Sequence, residues 1–148
     1  MTQLSQKVKT ILAKTTVAAG TTDITDAAVA DTEGYEGVRF IFSFGAITSG
    51  AVTLCKVAQL ATSSPTASTD DVEGSSLTVP DTGDDKIYII DIHKPAKRYL
   101  RPWVDRGTQN AVLNSIITEL YGAKKQPITQ DASVVAQELH VSPATGTA

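Results

Sequence analysis

Large apolar side chains stand at every second position from residue 38 to residue 44: Val38, Phe40, Phe42 and Phe44. A period of two matches only an extended strand with one face turned into a core, because successive side chains of a strand point to opposite sides. A helix would scatter these four residues around its circumference. Ile41 interrupts the outward set, so this strand is expected to be covered on both sides. A strand of this kind needs a second layer to bury its phenylalanines.

The other segments read the same way. Residues 7–18 are rich in Val, Thr and Ile and form a first strand. Residues 45–50 form a turn and 51–60 a returning strand, which makes a hairpin with 38–44. A polar loop spans 62–69 and a short strand 75–79. Pro80-Asp81-Thr82-Gly83-Asp84-Asp85 is a strong turn signal. Residues 87–92 are almost all β-branched or aromatic and read as a fully buried central strand. Residues 99–104 form a strand whose Pro102 has no N–H to donate, which places it at an edge or a bulge. Residues 106–110 form a turn.

Residues 111–121 carry two competing patterns. Val112, Ile116 and Leu120 recur every four residues, as on a helix. Asn114, Ser115 and Thr118 break up the apolar face, no good N-cap box precedes it, and the strand reading is preferred. From Gly122 onward the chain has Pro127, Pro143 and only one modest apolar patch at Val134, Val135 and Leu139. Residues 1–7 and 123–148 are therefore expected to be arms around a domain at 8–122, ordering mainly on a partner. About eight strands, spaced by roughly 8–14 residues, make an all-β, jelly-roll-like sandwich. Phe40, Phe42, Val52, Leu54, Ile87, Ile89 and Ile116 are expected in or near its core.

A length of 148 residues suits one domain with its own core. The formal net charge of -3 argues against nucleic acid as the main partner, since phosphate binding requires a basic excess. Cys55 is the single cysteine, so no disulfide closes within the chain, and a small buried hydrophobe is its expected role. No apolar run reaches the ~20 residues of a membrane span, and residues 1–20 lack the apolar core of an export signal.

Chemistry-bearing patterns are few. Asp81-Thr82-Gly83 has the form used by dimeric aspartic proteases, where two carboxylates share a proton. Pro80 interrupts the strand that should lead into it, and Asp84 and Asp85 would compete with such a dyad; an acidic turn is the better reading. Asp81, Asp84 and Asp85 lack the twelve-residue spacing of a calcium loop and its terminal glutamate. His93 and His140 stand at no metal-ligand spacing with each other or with Cys55. Gly34-Tyr35-Glu36-Gly37 leads into a strand without the helix that phosphate binding requires. No enzymatic activity, cofactor or metal is expected.

Charge is distributed unevenly. Residues 94–106 hold five of the thirteen bases: Lys94, Lys97, Arg98, Arg101 and Arg106. Residues 70–85 hold six of the sixteen acids, among them Asp81, Asp84 and Asp85. These eight named residues are the candidate partner-binding set, with Arg98 and Arg101 suited to bidentate grip on carboxylates. Solvated loops are the alternative reading, and interleaved Tyr99 and Trp103 leave nucleic acid as a weaker one.

Three stretches resemble a known family. They are residues 31–38 followed by 45–52; Lys97-Arg98-Tyr99-Leu100-Arg101-Pro102 with residues 105–111; and Glu138-Leu139-His140-Val141-Ser142-Pro143-Ala144. Together they resemble small structural proteins of tailed bacteriophages, specifically jelly-roll capsid cement (decoration) proteins. The resemblance implies a virion protein on the capsid surface, made in the host cytoplasm, whose partner is the major capsid protein. It brings no catalytic residues. Self-association as a homodimer, through a strand edge or a sheet face, is expected alongside it. A tail-tube or head–tail joining protein is the structural alternative. A carbohydrate-binding sandwich is the alternative of another class, and it would need aromatics exposed on one face.

Overall fold

The computed structural model describes residues 3–50, 52–107, 111–141 and 144–147. The end of the 106–110 turn and parts of both arms lie outside the described residues. One helical turn, α1 (Leu4–Lys7), precedes eight strands: β1 (Lys9–Lys14), β2 (Ala30–Asp31), β3 (Gly37–Ile47), β4 (Thr53–Leu60), β5 (Leu77–Val79), β6 (Ile87–His93), β7 (Tyr99–Asp105) and β8 (Ala111–Tyr121). They form two four-stranded antiparallel sheets, ordered β1-β8-β3-β6 and β2-β7-β4-β5. The pairs β1·β8, β2·β7, β3·β6 and β4·β5 are the pairs of one long hairpin rolled up on itself. That is the jelly-roll arrangement expected from strand spacing.

The alternation at 38–44 builds the core as its period requires. Val38, Phe40 and Phe42 are fully buried and Phe44 nearly so, facing Leu100, Val104, Cys55 and Val57 of the opposite sheet. β3 lies between β8 and β6 and so has ladder partners on both edges.

Several expectations change. Residues 38–47 and 53–60 do not form a hairpin: β3 and β4 belong to different sheets, and the turn between them crosses the sandwich. Local turn chemistry shows that the chain reverses, but not into which layer. Strand 87–93 is not central either. β6 is the last strand of its sheet, with Ile87 61% and Ile89 43% exposed, while Tyr88, Ile90 and Ile92 pack on the core. A run that is apolar on both faces gives no parity, so which alternate set faced inward was not readable. The same applies to β4, where Thr53, Cys55 and Val57 are buried, Val52 is exposed and Leu54 lies half-buried. Phe40, Phe42 and Ile116 are buried as expected.

β8 is a strand throughout, and its helix-like spacing has a cause. Its register against β3 shifts between Ser43 and Phe44, where the partners jump from Ser115 to Leu113. This bulge at Asn114 changes parity, so the inward set reads 111, 113, 116, 118, 120. Pro102 is in neither an edge strand nor a bulge, since β7 lies between β2 and β4 and its register with β4 is unbroken. It shares parity with Val104, whose N–H and C=O both bond Ile24, so its missing donor points toward the gap between that bridge and β2.

The arms are tied down further than composition suggested. Gln130 Oε1 accepts the Thr10 N–H at 2.9 Å and Ser133 Oγ accepts that of Leu12 at 2.9 Å, so side chains cover the β1 edge. Gln130 Nε2 donates to the carbonyls of Ser5 and Val8, and the Ile128 N–H to that of Gln6. A strand edge with unspent N–H groups recruits acceptors, and the C-terminal segment supplies them as far as residue 133.

Phe40→Ala should destabilise the fold by ~3–5 kcal/mol in urea denaturation, as expected for a fully buried aromatic. Ile87→Ala, on the exposed face, should stay within ~0.5 kcal/mol of the parent. Equal losses would show that the alternation of β6 is misassigned.

Candidate docking surfaces

β6 carries an acidic turn before it and a basic loop after it, so the strand itself separates the two clusters. Seven extended residues span about 23 Å, and the antiparallel register with β3 fixes the ends: Ile87 opposite Ser43, His93 opposite Gly37. Asp81, Asp84 and Asp85 thus sit at one end of the sandwich, and Lys94, Lys97 and Arg98 at the other.

At the acidic end two carboxylates are used internally. Asp84 Oδ1 accepts the Ile47 N–H at 3.2 Å and Asp81 Oδ2 accepts the Gly50 N–H at 2.8 Å. Both brace the turn that carries the chain from β3 to β4. Gly83 N–H bonds the Pro80 carbonyl at 2.8 Å and closes the tight turn that the sequence announces. Asp85 is exposed, with a φ of 54° and its N–H on the Gly45 carbonyl. Asp84 is exposed as well, beside its bond to Ile47.

At the basic end Lys94 (φ 51°) and Lys97 are exposed, the former with its N–H on the Glu36 carbonyl at 2.8 Å. Arg98 is engaged: its Nε and Nη2 donate to the two oxygens of Asp31 at 2.7 and 2.8 Å, and it also pairs with Glu33. The hydrogen bonds from Arg98 hold the Asp31 carboxyl below its ordinary range, against a smaller opposing effect of burial. Lys124 joins this end from far along the chain, its N–H on the Gly34 carbonyl at 2.9 Å. With Thr32, Tyr35, Glu36, Lys94 and Pro95 it lines a shallow groove.

Two bases leave the candidate surface. Arg106 is only 5% exposed and lies at the acidic end, not with the other bases. Its guanidinium donates to the carbonyls of Thr22, Ala18 and Ala111 at 2.6, 2.7 and 3.0 Å, while its own N–H bonds Asp23. It anchors the long β1–β2 connection from inside. Arg101 is half-buried on β7, with Nε enclosed by the protein. Sequence spacing grouped these residues because they are close along the chain, whereas strand β7 carries them from one end of the sandwich to the other.

The outer face of the first sheet has its own constellation, which the sequence did not single out. Tyr121 lies over Gly37, where a Cβ would run into the ring, and donates to Asp91 Oδ1 at 2.7 Å. Burial and the Asp91 carboxylate push its phenol up to about 12. Arg39 pairs with Glu119 beside it at 2.7 Å. On the second sheet Trp103 is 2% exposed, its Nε1–H on Asp71 and the Lys56 ammonium 4.8 Å above its ring. The single tryptophan is therefore no platform for stacking a sugar. Cys55 is fully buried, and burial pushes its thiol upward. Among the described residues no three His, Cys, Asp or Glu side chains come together at metal-binding distance.

Arg106→Ala should be costly, because each buried carbonyl left without its donor costs ~1–3 kcal/mol; thermal denaturation checks this. Arg98→Ala should show a pH signature instead. The lowered Asp31 value means that the pair stabilises the fold above pH 3.8 and that this contribution disappears as pH falls through the folded value. The stability gap between Arg98→Ala and the parent, small because both partners are well exposed, should close in acid. A gap that is constant from pH 7 into that range would refute the assignment.

The chain matches no protein-family model, and no curated protein is similar to it.

Proposed function

We propose that this chain is a non-enzymatic structural protein that docks on the outside of a multi-subunit protein shell and cements neighbouring subunits, as capsid cement proteins do. The observation that carries this reading is the course of the C-terminal segment. Side chains at 130 and 133 strap it to the β1 edge. Beyond that strap Val135, Leu139 and Val141 are 95%, 51% and 71% exposed. Three exposed aliphatic residues on a segment held against a rigid sandwich form a contact surface that none of the described residues covers. Leu4, 70% exposed at the other terminus, adds to it on the same side, because the two terminal segments bond each other.

Rigid body and presented segment have separate roles in this reading. The jelly roll holds its shape without the partner, so little ordering cost falls on the domain when it binds. The terminal segments reach sideways across a joint between neighbouring subunits. Binding the assembled shell, and not its separated parts, stabilises the shell by mass action, and many copies act together. Lys94, Lys97 and Asp85 bear on encounter rather than affinity, since exposed charges steer association and are screened by salt. The resemblance of residues 31–38, 45–52, 97–102, 105–111 and 138–144 to phage cement proteins supports the shell as the partner.

A chain truncated after Ser133 should retain the parent's far-UV circular dichroism and melting temperature while losing most of its occupancy on purified shells stripped of this protein. Leu139→Asp with Val141→Asp should do the same without shortening the chain. Full occupancy by both variants would overturn the proposal.

A further inference from the structure

A four-stranded sheet has two edges, and this sandwich therefore has four. Three are blunted. β2 and β5 are only two and three residues long, and the β1 edge is covered by Gln130 and Ser133. β6 is different: seven residues long, last in its sheet and, among the described residues, paired in the ladder with β3 alone. The Phe44 N–H bonds the Lys86 carbonyl and the Lys94 N–H bonds the Glu36 carbonyl, so even-numbered residues turn their backbone groups to β3. The N–H and C=O groups of Ile87, Ile89, Asp91 and His93 consequently point off the rim of the sheet. Ile87 and Ile89 also expose their side chains there. An edge that is long, apolar and unprotected is a template for another strand.

We infer that this edge pairs with the same edge of a second copy, antiparallel about a two-fold axis, so that two sheets join into one of eight strands. The charges name the occupant. The acidic turn precedes β6 and the basic loop follows it, so an antiparallel mate brings the acidic end of each copy against the basic end of the other. A parallel mate would set like charges side by side. The register follows from the same reasoning. With Ile89 opposite Ile89, Asp84 stands opposite Lys94 and Asp85 opposite His93 of the second copy. Sliding by two residues one way sets Lys86 against Lys94; sliding the other way sets Asp85 against Asp91. Sliding by one residue turns the wrong faces together. Ile89 at the axis is one of the residues whose backbone groups face the rim, so the pair is a hydrogen-bonded one.

This pairing does not depend on the shell reading and is tested on the isolated full-length chain. Sedimentation velocity over a range of concentrations should show a dimer that weakens as salt is raised. Ile89→Lys places two ammonium groups at the axis and should give a monomer with the parent's circular dichroism and melting temperature. Asp85 and Lys94 both hold a positive φ and are exposed, so exchanging their residue types is tolerated by the backbone. Asp85→Lys alone adds an ammonium beside Lys94 of the second copy, and Lys94→Asp alone sets a carboxylate opposite its Asp84, so each should weaken the homodimer at least ~10-fold. Mixed in equal amounts, the two variants should restore a heterodimer, which a misfolded variant would not do. A parent that stays monomeric at every concentration overturns the inference and leaves the edge to a strand of another protein. A dimer unaffected by Ile89→Lys, or folded variants that fail to rescue each other, overturns it as well.

Discussion

The stacking of one strand between two others and over an opposing sheet supports everything else in this molecule. β3 takes ladder bonds from β8 on one side and β6 on the other, and buries Val38, Phe40, Phe42 and Phe44 beneath it. All three phenylalanines of the chain stand in this strand. The second sheet meets it with smaller residues, Cys55, Val57, Leu100 and Val104. Large against small lets the layers interdigitate at the density of a protein interior. The ends of β3 then fix the ends of β6, and through them the positions of both charge clusters.

Burying apolar faces leaves the sheet edges to be managed. The protein closes β1 with two polar side chains from its C-terminal segment, a substitute for a ladder that costs no additional strand. The same contacts hold the segment close to the sandwich and set the direction in which Val135, Leu139 and Val141 leave it. Edge protection and the placement of these exposed side chains therefore share residues. The uncovered β6 edge stands out against this treatment, because every other edge is short or occupied.

Ion pairs within the chain explain why charge clustering is a poor guide to docking by itself. A base is available to a partner only if no nearer acid or carbonyl has claimed it. Arg98 is claimed by Asp31 and Glu33, and Arg106 by three carbonyls, although both lie in the most basic stretch of the chain. Asp31 is 67 residues from Arg98 in sequence, and the two meet because β2 lies against β7. What remains for a partner is a smaller set, Lys94, Lys97, Lys124 and Asp85, placed at opposite ends.

The sequence by itself determined the class of fold. Alternation at 38–44, β-branched runs at 87–92 and 111–121, and turns near 34, 83 and 107 are local signals, and local backbone preferences answer to them. It also marked Cys55 as a buried residue and 80–85 as a turn. Tertiary structure alone decided which layer each strand joined, because a turn that sends the chain back in the same sheet and one that sends it across the sandwich use the same residues. It decided the inward parity of β6 and β4, where both faces are apolar and only contact with the other sheet selects one. It decided that Asn114 sits in a bulge, which made a strand resemble a helix in its spacing. Finally, it decided which charges face solvent, since pairing depends on distances in space that spacing along the chain does not contain.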